Sequence, residues 1–296
     1  MRGRGTASDP YIITSPAELY AMETVGSPGT YFALGCDIDL GGTPAEETFL
    51  PVVFNCRRLD GREFRIRNIL SVLHEGAACI FLIPPAAESP ALKDLVIENA
   101  HLTAPAAGLF GGRQTTVTLE GCRISASLTC TGTASEDFSI FGAPVDAVRC
   151  SFMLKIRFEH QQSILSGGSL SRCQFRLDME AGHMFPGTMG AYPLFENVSA
   201  SDTYFMGRIK GCDPYRTRCL IFNIVTLMNC YAVLTADGEA YVTDTINTRA
   251  ATPCFYNNDT GCTGTMILSA FNGLTPAQCR DAAYLRSIGF DCGGGE

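Results

Sequence analysis

A pair of bulky apolar residues recurs along the chain at a nearly constant spacing. The pairs begin at residues 49, 80, 109, 140, 164, 194, 221 and 255, and their mean separation is about 29 residues. Repeats of this length are typical of solenoids, in which each repeat stacks on its neighbours. The spacing constrains the fold more than the length of 296 residues does, because it assigns a residue from each repeat to one position in a coil.

A second column of small residues follows the same irregular period. Each of these residues precedes a strand in which apolar and polar residues alternate. The column comprises Ala100, Cys122, Cys150, Cys173, Thr203 and Cys230. Because two columns share one period, we expect Cys122, Cys150, Cys173 and Cys230 to form a core ladder of buried, reduced thiols.

Strands that recur once per repeat without intervening helices predict an all-β fold, a single-stranded right-handed parallel β-helix of about eight coils. Ser15-Pro16-Ala17-Glu18 predicts a capped helix that continues to Val25, and Thr275-Pro276-Ala277-Gln278 predicts a second one near the other end. We expect one domain over 1–296. Within it, 1–45 form the N-terminal strand and capping helix, 46–273 the coils, and 274–296 the C-terminal helix and tail.

Composition argues against several classes of partner. The formal charge is −8 and the only lysines are Lys93, Lys155 and Lys210, so we expect no nucleic acid partner. No apolar run approaches the roughly 20 residues of a membrane span, and the N-terminus lacks an apolar secretory stretch. The 14 cysteines include no Cys-x-x-Cys motif, which favours buried thiols over a zinc site.

Acidic residues in neighbouring repeats are the candidates for chemistry, because polysaccharide hydrolysis uses two carboxyl groups. These candidates are Asp178, Glu180, Glu196 and Asp202, with His183 nearby. Outward acidic residues on solenoid strands are usually solvated, and no Ser or Cys has the spacing of a nucleophilic triad. We therefore predict no catalytic, cofactor-binding or metal residues and no cofactor, and we keep a polysaccharide-degrading depolymerase as the alternative.

Two runs are apolar at consecutive positions, whereas a β-helix strand has one core face and one outer face. They contain Ile80, Phe81, Leu82 and Ile83, and Leu220, Ile224, Leu227 and Met228. Two-sided apolarity together with only 18% charged residues predicts that these outer faces meet another surface. We expect a homo-oligomer that uses these eight residues as its interface.

Several segments resemble right-handed parallel β-helix proteins of phage tails and bacterial surfaces. They are Gly5-Thr6-Ala7-Ser8-Asp9-Pro10-Tyr11-Ile12-Ile13, Asp37-Ile38-Asp39-Leu40, Leu59-Asp60-Gly61, the turn Gly108-Leu109-Phe110-Gly111, and Leu274-Thr275-Pro276-Ala277-Gln278. The resemblance implies a phage virion structural protein assembled in the host cytoplasm, either a tail fibre or tailspike or another receptor-contacting component. It also implies a homotrimer, other virion proteins as partners, and contact with host surface polysaccharide. A capsid decoration protein and a bacterial surface adhesin are the alternatives.

Overall fold

The computed structural model describes the N-terminal segment, most of the repeat region and part of the C-terminal region. The described residues are 1–41, 51–84, 89–112, 115–132, 139–160, 163–183, 194–210, 219–223, 225–236, 240–243, 249–250, 254–257, 271–275, 277–278 and 281–287.

Short strands dominate these residues. In chain order they are β1 (Tyr11–Ile13), β2 (Tyr31–Leu34), β3 (Ile38–Asp39), β4 (Val52–Val53), β5 (Arg58–Asp60), β6 (Arg65–Val72), β7 (Ala77–Leu82), β8 (Ala91–Lys93), β9 (Val96–Ala104), β10 (Ala106–Gly111), β11 (Val117–Glu120), β12 (Arg123–Cys130) and β13 (Val145–Val148). They continue as β14 (Ser151–His160), β15 (Leu165–Ser171), β16 (Gln174–His183), β17 (Phe195–Ser201), β18 (Tyr204–Lys210), β19 (Cys219–Asn223), β20 (Thr226–Met228), β21 (Tyr231–Ala236), β22 (Ala240–Thr243), β23 (Arg249–Ala250), β24 (Cys254–Asn257) and β25 (Phe271–Leu274). The helices are α1 (Pro16–Tyr20), α2 (Met22–Val25) and α3 (Ala282–Ser287).

The strands form parallel sheets in which each coil adds to the one before it. One sheet has ten strands in the order β25-β24-β21-β18-β16-β14-β12-β9-β6-β3, and a second has 12 strands that include β8, β11, β13, β15 and β17. A third, shorter sheet has the order β10-β7-β4. The described residues thus form an all-β parallel β-helix of about five turns with little helix, which confirms the fold class that the repeat predicted.

Like residues stack along the interior. Phe152 stacks on Phe175 with ring centroids 4.6 Å apart, and Phe175 stacks on Phe205 at 5.3 Å. All three side chains are at most 1% exposed. In a second row of rings, the centroid of Phe81 lies 6.2 Å from that of Phe110 in the next coil. The buried apolar residues form one cluster, so the coils share a single close-packed core.

The cysteine ladder lies at the corner where the chain passes from the 12-stranded sheet into the ten-stranded sheet. We call the residues at this corner, Cys122, Cys150, Cys173, Thr203 and Cys230, the corner column. Cys122, Cys150, Cys173 and Cys230 are at most 3% exposed, and none of the four is in a disulfide. Each Sγ lies 3.3–3.5 Å from the carbonyl oxygen two residues earlier, to which the thiol donates. Hydrogen bonding to Cys150 and burial both raise the pKa of the Cys173 thiol.

Thr203 explains what the ladder position requires. It occupies the same corner one coil after Cys173, and its hydroxyl donates to the Ser201 carbonyl oxygen at 2.8 Å. The residue before each ladder position is left-handed, as at Arg172 with φ 55° and Asp202 with φ 48°. From Cys122 to Cys230, each corner therefore holds a small side chain that donates a hydrogen bond to the carbonyl oxygen two residues earlier, and cysteine and threonine can both do so.

The first member predicted for this column is wrong. Ala100 pairs with Ala126 in the middle of its strand, whereas the corner below Cys122 is occupied by Leu95, whose carbonyl oxygen accepts from the Arg123 amide at 2.9 Å. Leu95 follows the left-handed residue Asp94 and lies 27 residues before Cys122, as the corner position requires. Leucine is not a small residue, so the search for small residues does not select it.

The N-terminal helix begins where the sequence predicted but is divided in two. The Ser15 side chain caps α1 by accepting from the Glu18 amide at 3.3 Å. The helical run is interrupted at Ala21, between α1 and α2. Leu19 and Met22 are completely buried in the core. These short helices therefore cover apolar residues of the first coil, as a cap does.

The second predicted helix N-terminus is also present. Thr275 and Gln278 form a reciprocal capping box, with the Gln278 amide donating to Thr275 Oγ1 at 3.3 Å and the Thr275 amide donating to Gln278 Oε1 at 2.9 Å. The helix α3 has a separate cap, because Asp281 Oδ1 accepts from the amide of Ala283 at 2.9 Å.

The eight apolar residues that were predicted to form the oligomer interface require correction. Ile80, Phe81 and Ile83 are at most 3% exposed and belong to the core of the coil, as does Leu227 at 1%. Consecutive residues of β7 are buried, so an unbroken apolar run here does not produce an apolar outer face. Of the eight residues, Leu82 and Met228 are exposed, at 40% and 49%. The side chains of Leu220 and Ile224 lie outside the described residues.

Candidate binding face

The outer surface of the ten-stranded sheet carries rows of opposite charges. We call the six side chains Lys155, Arg157, Asp178, Glu180, Arg208 and Lys210 the charged face. Five of them are exposed and Lys210 is half-buried. The face lies on three successive coils, because β14, β16 and β18 are neighbours in the sheet.

Strand register arranges these charges in two rows. Lys155 pairs with Asp178, and Asp178 pairs with Arg208. Two residues further along the strands, Arg157 pairs with Glu180, and Glu180 with Lys210. Each carboxylate therefore has a cation on the coil before it and a cation on the coil after it, about 4.8 Å away in the strand-to-strand direction.

A shallow groove of about 320 Å³ runs along the same face. Its polar lining comes from outward side chains of four successive strands, β12, β14, β16 and β18. They are Ser127, Thr129, Lys155, Arg157, Asp178, Glu180 and Lys210. The hydroxyl groups of β12 extend the two rows by one coil, since Ser127 pairs with Lys155 and Thr129 with Arg157.

The inner sides of the same strands fix the position of the charged face. Ile156 lies between Lys155 and Arg157 in β14, and it is 1% exposed. Met179 and Ile209 are the corresponding residues of the next two strands and are at most 3% exposed. Because successive side chains of a strand point to opposite faces, packing of these residues in the core holds the charges outward.

Elsewhere on the coil surface, several charges form ion pairs between neighbouring coils. Arg149 Nη2 lies 2.8 Å from Glu120 Oε1, and Arg67 Nε lies 3.0 Å from Asp39 Oδ2. Asp39 also accepts hydrogen bonds from the Asn68 amide group at 2.8 Å and from the backbone N–H of Gly41. These hydrogen bonds, together with the charge of Arg67, lower the pKa of the Asp39 carboxyl group. On the charged face, by contrast, four cations accompany two carboxylates, so positive charge is in excess.

The acidic residues considered for catalysis do not converge. Asp178 and Glu180 project from the same side of β16, but Glu196 lies on β17 in the 12-stranded sheet. Asp202 occupies the left-handed corner, where its carboxylate accepts from Asn229 Nδ2 at 2.7 Å. His183 ends β16 in register with His160, and its side chain lies outside the described residues.

The basic part of the charged face was missed by the sequence reasoning, although a signal was present. Lys155, Asp178 and Arg208 each follow the corner position of their own coil, Cys150, Cys173 or Thr203, by five residues. Arg157, Glu180 and Lys210 follow by seven. Once the corner column is aligned, these offsets place all six residues on the same two rows.

Within the described ranges, no group of three or more His, Cys, Asp or Glu side chains is arranged to hold a metal ion. No helix in those ranges combines the length and apolarity needed to cross a membrane.

The comparisons with known proteins agree with the fold. No protein family model matches the chain, and no curated protein matches it either. A crystal structure of a candidate immunoglobulin A1 protease from Bacteroides ovatus is similar in three dimensions, with a TM-score of 0.52 over 97% of this chain and 88% of that chain. The two sequences are 16% identical, so the likeness shows the fold alone. Fold and likeness together define a parallel β-helix protein.

Proposed function

We propose that this β-helix is a phage virion structural protein that contacts a host receptor, as a tail fibre, a tailspike or a related tail component. The observation that carries the receptor-contacting part of the proposal is the charged face, in which six side chains on three coils are held in register on one sheet. An extended, pre-organised surface is suited to binding a repetitive ligand, because little conformational freedom is lost on binding. Host surface polysaccharide is such a ligand.

The placement in a virion is supported by the sequence resemblance alone, through the N-terminal segment and the Gly108-Leu109-Phe110-Gly111 turn. We propose in addition a right-handed coil of about eight turns, the hand that parallel crossover connections adopt in nearly all cases. We also propose association into a homotrimer with other virion proteins as neighbours. Of the eight residues predicted for the interface, Leu82 and Met228 are exposed, and we place them in the contact between copies.

Binding to purified bacterial surface polysaccharides tests the receptor-contacting role. The full chain is immobilised and exposed to a panel of capsular and cell-wall polysaccharides in a biolayer interferometry experiment. We expect saturable binding to at least one polymer and no change in its reducing-end or unsaturated-product content. Absence of binding to every polymer, in a sample that circular dichroism shows to be folded, contradicts the proposal.

A depolymerase is the second candidate, because one observation favours it. Asp178 and Glu180 project from the same side of one strand, two residues apart, which corresponds to about 6.7 Å along the strand. Inverting glycosidases separate their two carboxyl groups by about 6.5–9.5 Å. If the product assay becomes positive, Asp178→Asn and Glu180→Gln should each abolish it, and this result would replace the binding role with an enzymatic one.

A further inference from the structure

The charged face is locally basic on an acidic protein. It contains two of the three lysines of the chain and four cations against two carboxylates, although the formal charge of the whole chain is −8. Arg176 lies on the same side of β16, two residues before Asp178, and adds another exposed cation. A local positive excess on a protein of negative net charge attracts anions to one place on the surface.

We infer that the charged face binds an acidic polysaccharide, one whose sugars carry carboxylate groups. This inference rests on the proposed receptor-contacting function and specifies its ligand. Lys155 and Arg208 lie two coils apart, about 9.6 Å, with Asp178 between them. The rows thus offer cations at their ends and an acceptor at their centre.

Acidic sugars match this alternation better than other polyanions do. A uronate residue carries one carboxylate, which pairs with a cation, and several hydroxyl groups, which donate to a carboxylate such as Asp178 or Glu180. Arg is especially suited to the first contact, because its planar fork binds a carboxylate through two parallel hydrogen bonds. A nucleic acid backbone presents a dense row of phosphates, and the two central carboxylates would repel it.

The groove supports the same ligand. It follows the rows across four strands, and Ser127 and Thr129 at one end add neutral hydroxyl groups to the lining. Neutral donors and acceptors beside the cations allow an uncharged part of a sugar chain to continue across the sheet. The ligand therefore extends across the coils, along the rows, rather than along a single strand.

Charge reversal provides the test. The wild-type chain and the double variant Arg157→Glu/Lys210→Glu are titrated with polygalacturonate, alginate and hyaluronate, and with neutral dextran and duplex DNA. Arg62→Glu/Arg172→Glu is the matched control, because it makes the same change in net charge at exposed positions outside the charged face. Circular dichroism verifies that both variants remain folded.

We expect the wild type to bind at least one acidic polysaccharide in preference to dextran and DNA, with affinity that falls as salt rises. The charged-face variant should lose about tenfold or more in affinity, and the control should stay within about twofold. Binding that is equal for dextran, stronger for DNA, or unaffected by the charged-face variant overturns the inference. If dextran or another neutral glycan binds, the receptor-contacting role survives and only the ligand class fails. If no polysaccharide binds at all, both fail.

Discussion

The corner column and the charged face occupy fixed offsets of the same repeat, yet they use polar groups in opposite ways. In the corner column, each thiol or hydroxyl is buried and donates to a carbonyl of its own chain, as Cys173 does to Ser171 at 3.4 Å. On the charged face, the side chains are directed to solvent and the cations outnumber the carboxylates. The repeat therefore hydrogen-bonds its buried polar groups within the chain and leaves its outer charges accessible to a ligand.

This difference teaches which kind of substitution each region tolerates. A buried position has no solvent to accommodate a new charge, whereas an outer position of the same coil does. Mutations in the corner column should change stability with little specific effect on binding. Mutations in the charged face should do the reverse.

The largest effect is expected when a charge enters the corner. Cys173→Arg would place a guanidinium in a site that is 1% exposed, and we expect the free energy of unfolding to fall by more than about 4 kcal/mol. Urea denaturation followed by circular dichroism measures the change. Val148→Arg is the outer control, because Val148 is 37% exposed and pairs with Glu120 and Ser171, and it should change stability by less than about 0.5 kcal/mol.

Cys173→Thr distinguishes the hydrogen-bonding explanation from simple hydrophobic burial. Thr203 already fills the same corner with its hydroxyl bonded at 2.8 Å, so the Thr variant should be more stable than Cys173→Val. If Val is the more stable of the two, cysteine acts at this position only as a small apolar side chain.

Truncation of a stacked ring should cost somewhat less than a buried charge. Phe175 contacts the rings of Phe152, Phe195 and Phe205 at centroid distances of 4.6, 5.3 and 5.3 Å. We expect Phe175→Ala to reduce the free energy of unfolding by about 3 to 5 kcal/mol, because it leaves a cavity in a close-packed interior. A reduction below about 1 kcal/mol in urea denaturation would mean that the rings do not stack as described.

A smaller, pH-dependent effect is expected for buried thiols. Burial raises the pKa of Cys130 from 9.0 to about 11, so between these values the unfolded chain loses a proton that the folded chain keeps. The stabilising contribution is complete below about pH 9 and is lost as the pH rises toward about 11, by about 2 to 3 kcal/mol. Urea midpoints from pH 8 to 10.5 should fall less steeply for Cys130→Ala than for the wild type. Parallel curves would contradict this expectation.

The smallest effect on stability is expected from the charged face itself. Arg157→Gln/Lys210→Gln, which removes the two cations without placing glutamates opposite Glu180, should change the free energy of unfolding by less than about 1 kcal/mol, since exposed ion pairs contribute little. The same variant should lose its affinity for acidic polysaccharide. A large loss of stability would assign the charged face to the fold rather than to a ligand.

The sequence was most informative where the repeat was regular. The period shared by the apolar pairs and the small-residue column predicted the parallel β-helix, because like positions in successive coils must coincide. It misplaced Ala100, since the corner of that coil is occupied by Leu95, which a search for small residues does not select.

The surface was harder to predict than the core. The run Ile80-Phe81-Leu82-Ile83 was interpreted as a strand with an apolar outer face, but three of its four side chains are buried in the coil. The order of apolar residues in the sequence does not distinguish a strand with an apolar outer face from one whose consecutive residues are buried. The charged face was missed because a net charge of −8 averages over a surface whose cations are concentrated by the pairing of β14, β16 and β18.

Lysine footprinting tests the central claim that the charged face contacts the ligand. The chain has three lysines, of which Lys155 and Lys210 lie on the charged face, whereas Lys93 lies on β8 in the other long sheet. The protein is acetylated with and without the best-binding acidic polysaccharide, and each site is quantified by mass spectrometry. We predict that the polysaccharide slows acetylation of Lys155 and Lys210 severalfold and leaves Lys93 unchanged. Equal rates at Lys155 and Lys210 with and without a saturating polysaccharide, or protection of Lys93 instead, would contradict the claim.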